Sequence, residues 1–397
     1  MSTTTVAGPS GPVVYNIYVN GVLYNNQPPV LDVQLVQEYG MHDMLYIRIE
    51  WPVTATQTLS NQSLWPPDTP VQVQWGRVPD VNVWYGYINH HEVNSSADSG
   101  TNMMQITYVC VGTSIVLNVA LTRKWEQVSP TYIAKQIAAE NGFRAITTPI
   151  NYPLTYEVQV GESDFQFLNR IADKTGLRFW CSGGTLYMIS PTAALEGSGQ
   201  NAIPVYSLNK SLVTLDTCRD FQYMQGNNLP GSVQANRAIF GIDASSGRLF
   251  SATATPVNST SRIAVKTSYA AQSYIEAANR IQAWAALAQF WIGATCTLYG
   301  NTTLYPGKLV RITGAALPDN AAGYWLISEA SHGMSQSSTA LTTLDKYLTD
   351  VVLLRNQKET NTVVLSNVTP VNPELTSMTL NTSGHWISTD LAAVSIQ

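Results

Sequence analysis

One stretch, Tyr156–Ser190 (YEVQVGESDFQFLNRIADKTGLRFWCSGGTLYMIS), limits the fold more tightly than any other. Tyr156, Val158 and Val160 alternate with Glu157, Gln159 and Gly161, the two-residue period of a strand. Glu162 follows. Ser163 is placed to cap a helix, because its hydroxyl can accept from the amides that the first turn leaves unpaired. Phe165, Leu168, Ile171 and Ala172 then share one helical face, and Gly176 supplies the left-handed residue that stops the helix. Leu177, Phe179 and Cys181 alternate up to a Gly183-Gly184 turn, from which Leu186, Tyr187 and Ile189 return as the second strand of a hairpin. Upstream, Ser129-Pro130 starts another helix, with Ser as N-cap and Pro at the first position. Ile133, Ile137 and Ala138 form its buried face and Gly142 ends it. Together these elements make a compact α/β module over about residues 126–192.

The chain on either side reads as strands. Residues 1–12 (MSTTTVAGPSGP) are polar and make a flexible arm. Val14–Val22, with a turn at Asn20-Gly21, Val30–Gln37, Met44–Trp51, Val71–Trp75, Trp84–Asn94 and Met104–Val111 follow. The cleanest is Met44–Trp51, where Leu45, Ile47, Ile49 and Trp51 oppose Tyr46, Arg48 and Glu50. Residues 52–70 are a Pro-rich loop containing Trp65. Short strands separated by turns over about 110 residues predict an antiparallel barrel or sandwich. After a linker at 191–202, strands resume at Pro204–Leu208, Leu212–Asp216, Cys218–Gln225, Ser232–Phe240 and Leu249–Thr255. Residues 268–292 predict the longest helix, capped by Ser268, with a wide stripe of small and aromatic residues from Tyr274 to Ala288 that lets it pack closely. Pro306-Gly307 reads as a type II turn, with Pro fixing φ and Gly supplying φ > 0. His332 leads into a loop, and Thr339–Tyr347 is the last strand. Residues 351–397 read as an extended or partner-bound tail.

Charge narrows the function classes. Asp, Glu, Lys and Arg are only 12% of the 397 residues, about half the usual ~25%. A polar but weakly charged surface suits a β-rich protein that buries its edges in an assembly better than a soluble enzyme. The net charge of −5 lies wholly in residues 1–126, which hold nine acidic residues against Arg48, Arg77, Arg123 and Lys124. No basic tract exists, which argues against tight nucleic-acid binding. Cys110, Cys181, Cys218 and Cys296 are widely scattered, which fits buried free thiols rather than a zinc site. The chain opens on no signal peptide, and no apolar run reaches the ~18 residues a membrane span needs.

No catalytic motif emerges. H-E-x-x-H, Walker and G-x-S-x-G patterns are all missing. His90 and His91 are neighbours on a strand, so they point to opposite faces and do not share a metal. A glycosidase needs two carboxylates across a sugar, whereas Glu162 and Asp173 lie about 16 Å apart along a helix axis, beyond the ~6.5–9.5 Å of inverting enzymes. Catalytic, cofactor and metal residues are therefore expected to be none. Two alternatives stay open: a cell-wall hydrolase, and a receptor- or carbohydrate-binding protein with Trp65 as its candidate contact.

Three ordered strings resemble one family. The first is Gly161-Glu162-Ser163-Asp164-Phe165 with Phe167-Leu168, then Gly176-Leu177, Phe179 and the Gly183–Tyr187 hairpin. The second is Tyr108, Cys110, Gly112 and Ser114. The third is Leu304, Pro306, Gly307, Val310, Ile312 and Gly314, continued by Gly323, Trp325, Ile327 and His332. They look like the late control protein D and baseplate-hub proteins of bacteriophage tails, relatives of type VI secretion spike proteins. The resemblance covers about residues 105–350, with Tyr156, Gly161, Glu162, Ser163, Phe165, Leu168, Gly176, Phe179, Pro306 and Gly307 as its structural signature. It implies a β-rich α+β fold. Two tube-forming antiparallel β-barrel domains (13–125 and 193–350) would flank the inserted α/β module (126–192), before an extended C-terminal segment (351–397). It implies a homotrimer in which six barrels form a ring. That ring would adapt a hexameric tail tube or distal tail protein to a threefold central fibre or spike. Further implied partners are the tape measure protein and genomic DNA passing through the channel without specific binding. No membrane anchor or cofactor is implied. The place of the protein would be the virion tail tip, after assembly in the host cytoplasm.

Overall fold

The computed structural model describes residues 12–26, 28–52, 64–95, 103–150, 152–190, 203–208, 216–225, 235–243, 246–254, 260–265, 271–287, 290, 292–314, 316–317, 321–335, 346–355, 377–391 and 394–395. The arm 1–11, the loop 53–63, the linker 191–202, and residues 212–215, 232–234, 268, 339–345 and 356–376 of the expected segments lie outside them.

The first part is strand throughout: β1 (Val13–Val19), β2 (Val22–Leu23), β3 (Val30–Glu38), β4 (Met44–Pro52), β5 (Pro70–Arg77), β6 (Asp80–Ser95) and β7 (Met103–Gly112). Between β1 and β2, Asn20 (φ 50°) and Gly21 (φ 77°) both take positive φ, the turn whose twist matches a right-handed hairpin. Leu45, Ile47 and Ile49 are buried, as their alternation predicts.

A 3-10 turn at Thr113–Asn118 leads into the α/β module. Its elements are β8 (Ala120–Val128), α1 (Pro130–Glu140), β9 (Arg144–Thr147), β10 (Leu154–Ser163), α2 (Asp164–Thr175), β11 (Arg178–Ser182) and β12 (Thr185–Ile189). Ser129 Oγ accepts from the Tyr132 amide, and Ser163 and Gln166 exchange side-chain and backbone hydrogen bonds in a capping box. Gly176 ends α2 at φ 73°. Ile133, Ile137, Phe167, Leu168, Ile171 and Phe179 meet in one buried cluster.

The second half holds β13 (Val205–Ser207), β14 (Cys218–Gln225), β15 (Ala235–Ile242), β16 (Leu249–Ala254), β17 (Thr260–Val265), α3 (Tyr274–Leu287), β18 (Ile292–Tyr299), β19 (Leu309–Thr313), β20 (Gly323–Ser335) and β21 (Tyr347–Arg355). The long helix is shorter than its sequence suggests. Ser273 supplies the capping hydroxyl, accepting from the Glu276 amide, while the Glu276 carboxylate accepts from the Gln272 amide; the expected cap, Ser268, lies outside the described residues. At its far end Ile292 already belongs to β18, where Ile292, Ala294, Cys296 and Leu298 alternate inward. His332 likewise stands inside a strand rather than before a loop. β20 must reach across both β21 and β3, which keeps it extended to Ser335.

The C-terminal residues do not simply trail away. Val351–Arg355 complete β21. Residues 377–391 form a hairpin of β22 (Met378–Leu380) and β23 (Trp386–Ser388), and β24 (Val394–Ser395) adds in parallel to β9. Trp386 explains the docking: its indole Nε1 donates to Gly86 O (3.0 Å), and its ring meets Tyr85 edge-on.

The two flanking regions share one sheet of 13 strands among the described residues. Its order is β14-β18-β21-β20-β3-β4-β7-β6-β5-β1-β2, with β19 branching from β20 and β13 from β19. The junction is β20 with β3, antiparallel, from Glu329 opposite Glu38 to Ser335 opposite Asp32. β3 and β1 stand far apart in this order, yet Val33 and Ile17 belong to one apolar cluster, so the first half curves around its own core. The second half packs a separate cluster around Trp325, Leu298 and Leu353. The fold is thus β-rich α+β with two curved halves. Closure of either half into a barrel is not seen among the described residues; β3 of the first half pairs instead with β20 of the second.

Candidate functional site

Three clusters invite a chemical reading. In the first, His42 Nδ1 lies 2.7 Å from Ser114 Oγ, while Asn118 Nδ2 donates to His42 Nε2 (3.1 Å). That places the ring proton on Nδ1, where it donates to Ser114 instead of drawing a proton from it. Ser114 is also 1% exposed, so no substrate reaches its hydroxyl.

The second cluster contains the carboxylates of the signature stretch. Glu162 ends β10, beside the bulge where Gly161 takes φ 61°, and accepts from Arg170 Nε (3.2 Å). Arg170 also pairs with Glu157, which accepts from Lys174 Nζ (2.5 Å). Lys174 reaches Glu276 at 3.5 Å and Arg280 reaches it at 3.1 Å. Three carboxylates and three cations thus form one largely buried, neutral chain that ties α2 and β10 to α3. Asp173 stands exposed outside it. None of the three glutamates is the desolvated, unpaired acid that glycoside cleavage needs. The sequence offered no sign of this chain, because Glu157 and Glu276 are 119 residues apart.

The third cluster surrounds His332, which is fully buried against Trp75 (ring centroids 4.6 Å apart). Its Nε2 lies 2.8 Å from Leu304 O, and Tyr347 Oη and Thr349 Oγ1 each lie 3.0 Å from Nδ1. Burial holds its pKa down to about 3, so it stays neutral and works as a hydrogen-bonding pin at the seam between the halves.

The remaining signature residues are scaffolding. Phe165 stacks on His42 (3.8 Å) and meets Phe179 edge-on, and Leu168 is fully buried. Tyr156 is 44% exposed, with its backbone bonded to Gln272. Gly176 lies so close to α3 that an added Cβ would stand 2.4 Å from Ala283 Cβ. The small residues of α3 therefore serve a contact with the end of α2. Gly307 takes φ 88° beside Pro306 and donates its N–H to Ile327 O (2.9 Å). Trp65, the candidate glycan contact, stacks on Tyr108 (4.3 Å) and meets Tyr24 edge-on, so its ring is committed to the protein. His90 and His91 follow a bulge and face opposite sides, His90 beside Glu92 at 3.7 Å. All four cysteines are buried free thiols, and no three-ligand metal cluster occurs among the described residues. No described helix is long and apolar enough to cross a membrane.

The extended feature that remains is the face of the large sheet opposite its two cores. Register places Gln34, Val36 and Glu38 of β3 beside Gly333, Ser331 and Glu329 of β20. The row continues through Asp350 of β21 and Thr297 of β18 to Asp220 of β14. Gln34 Nε2 donates to Ser331 Oγ (3.0 Å) across the junction, and Thr297 Oγ1 donates to Asp350. Asp32, Glu38, Glu50, Glu92, Asp220, Glu329 and Asp350 all lie on this face. Against them stand Arg48, which is bonded to Asp32 (2.7 Å), Arg311, and Arg219, exposed in the β14 bulge beside Asp220. Over the second half the face is hollowed by a concavity of about 270 Å³ between Asp220, Thr297, Glu329 and Asp350. Burial and the facing Glu38 raise the pKa of Glu329 above the usual carboxyl range. This surface is polar and acidic, is hollowed over the second half, and runs without a break across both halves.

Comparison with known proteins agrees with this architecture. Residues 66–338 match the family described as the phage tail baseplate hub (GPD). The fold is similar to the 43 kDa tail protein of prophage MuSo2 from Shewanella oneidensis, at 13% identity and TM-score 0.62, covering 87% of this chain and 98% of that one. It is also similar to a tail protein from Neisseria meningitidis MC58, at 12% identity and TM-score 0.59, covering 89% and 99%. A third similar structure is the E. coli c3393 protein, a component of the type VI secretion system, at 10% identity and TM-score 0.52, covering 87% and 79%. No curated protein matches by sequence.

Proposed function

The chain belongs to the phage tail baseplate hub (GPD) family, and from that premise we propose that it is the trimeric hub through which DNA leaves the tail. It is a structural protein of the virion tail. In the proposed assembly each subunit contributes two curved sheet halves, and three subunits place six halves around one channel. The ring mates with the sixfold tail tube or distal tail protein on one side and with a threefold fibre or spike on the other. The tape measure protein passes through it, and the subunits assemble in the host cytoplasm.

The observation that carries this reading is the unbroken sheet. One wall spans both halves, so the two halves act as rigidly joined, similar sectors of a ring. Among the described residues no strand pairs with the outer edges of its ends, β14 and β1–β2, and an exposed sheet edge is a template for pairing with another chain. Pairing with the next subunit would continue the wall. The acidic face opposite the cores then lines the lumen, where carboxylates repel DNA phosphates and allow passage without adhesion. The role is mechanical, with no catalytic step. Light scattering on the purified protein, across a range of concentrations, tests the assembly. The expected mass is three times that of the 43.4 kDa chain. A monomer at every concentration, together with no trimer in intact virions, would overturn it.

A further inference from the structure

The C-terminal hairpin is seated away from the strand it follows. β21 ends in the second half at Arg355, yet β22 and β23 pack on the first half and on the α/β module. Met378 and Trp386 join Tyr85 and Tyr87 of β6 in one buried cluster. Trp386 donates its backbone N–H to Tyr87 Oη (2.7 Å) as well as its indole N–H to Gly86 O. On the module side, Ser388 donates its N–H to Gly142 O (2.9 Å), and Asp390 lies 3.8 Å from Arg144. Gly142 is shaped to this contact, since a Cβ there would stand 2.9 Å from the Ile387 side chain. A hairpin of two three-residue strands is marginally stable at best on its own, so it depends on this seat.

The tether is longer than the seat requires. Register places Arg355 two strands from β3 and a few residues past the level of Glu38. Gln37 and Ser377 line one cavity of about 170 Å³. Within one subunit Arg355 and Ser377 are thus roughly 25 Å apart, at about 4.8 Å per strand and 3.3 Å per residue. The 21 residues between them can span up to about 70 Å. Connections of that length are uncommon in compact folds unless they serve a function. A neighbouring subunit of this size is centred roughly 40 Å away, twice the expected radius of gyration, so its seat is within reach.

We propose that in the assembled ring each subunit places its C-terminal hairpin, residues 377–391, on the seat formed by β6 and the module of a second copy. The contacts are those seen within the chain; only the subunit that supplies the hairpin changes, which makes the exchange a low-cost one. Between adjacent subunits the tether holds the hairpin at an effective concentration of about millimolar. Each subunit gives one hairpin and receives one, so a ring of three closes with every seat filled. This inference rests on the trimeric assembly proposed above and names how its subunits are fastened.

The test introduces Gly184→Cys and Ser388→Cys together in the full chain. A Cβ at Gly184 would stand 3.1 Å from Ser388 Cβ, close to the ~3.8 Å between the β-carbons of a disulfide. The protein is oxidised with diamide, which takes up the two thiol hydrogens, and is run on a denaturing, non-reducing gel. The expected result is loss of two thiols per chain and a covalent species three times the mass of the 43.4 kDa chain. A monomer band with the same two thiols lost means that the hairpin stays on its own subunit, and overturns the proposal. Light scattering before oxidation separates the two ideas. A trimer mass with a monomer band defeats the exchange alone, and a monomer mass defeats the assembly as well. Should this pair fail to fold or to oxidise, Arg144→Cys with Asp390→Cys, bridged by a short bis-maleimide, gives the same readout: a covalent trimer supports the exchange and a bridged monomer overturns it.

Discussion

At the scale of single residues, two buried titratable groups set opposing responses to pH. Burial lowers the His332 pKa to about 3, against an ordinary 6.5, with the bond to Leu304 O partly opposing the shift. The unfolded chain therefore takes up a proton there that the folded chain refuses, and stability falls as pH drops from 6.5 towards 3. Burial raises the Asp43 carboxyl to about 7 from 3.8, against the bonds from Gln37 and Ser182. The folded state holds that proton where the unfolded state has lost it, so stability falls as pH rises from 3.8 to about 7. Asp43→Asn removes the second effect only. Urea unfolding of wild type and variant at pH 4.5 and 7.5 should show the variant gaining about 3 kcal/mol on wild type over that interval. Equal responses would show that Asp43 is ionised in the fold. Neither group announces itself in the sequence. Asp43 sits in an ordinary turn, and His332 follows a strand pattern that reads as ending too soon.

At the scale of elements, α2 is the best-supported unit. Leu168 is fully buried at the centre of the module's core, so Leu168→Ala should cost ~2–5 kcal/mol through the cavity it leaves. Lys174→Met tests the charge chain. It leaves Glu157 with Arg170 as its remaining cation and removes one from Glu276, at an expected cost of ~3–5 kcal/mol. Thermal melting of both variants checks these values; a Lys174→Met protein as stable as wild type would mean that the chain bears no load. The helix α2 was legible because its cap, apolar face and terminating glycine all lie within fourteen residues, Ser163 to Gly176. The start of α3 was not: the sequence pattern points to Ser268 as the cap, whereas the helix begins at Tyr274. Its cap, Ser273, shows only through the reciprocal bonds among Gln272, Ser273 and Glu276. The charge chain was invisible for a different reason: its members come from three elements whose contact is decided by tertiary packing.

At the scale of the whole molecule, the strand pattern announced the β-rich class and the inserted module, and the ordered motifs announced the family. What could not be read was how the halves meet. Glu38 and Glu329 are 291 residues apart, and two like charges placed opposite one another are the reverse of what local pairing favours. That arrangement becomes reasonable when the face serves a lumen, where repulsion of a polyanion is useful and the junction draws its strength from backbone bonds and the buried seam at Trp75, His332 and Tyr347. The low charge of the chain would follow from the same assembly, since subunits joined at their sheet edges leave less surface to keep soluble. The most direct measurement is an electron cryo-microscopy map of the assembled tail tip. The account predicts threefold symmetry, six sheet halves around a channel, and Glu38, Glu329 and Asp350 facing the lumen. A map in which these carboxylates face outward, or in which the two halves of one subunit do not share the channel wall, would contradict it.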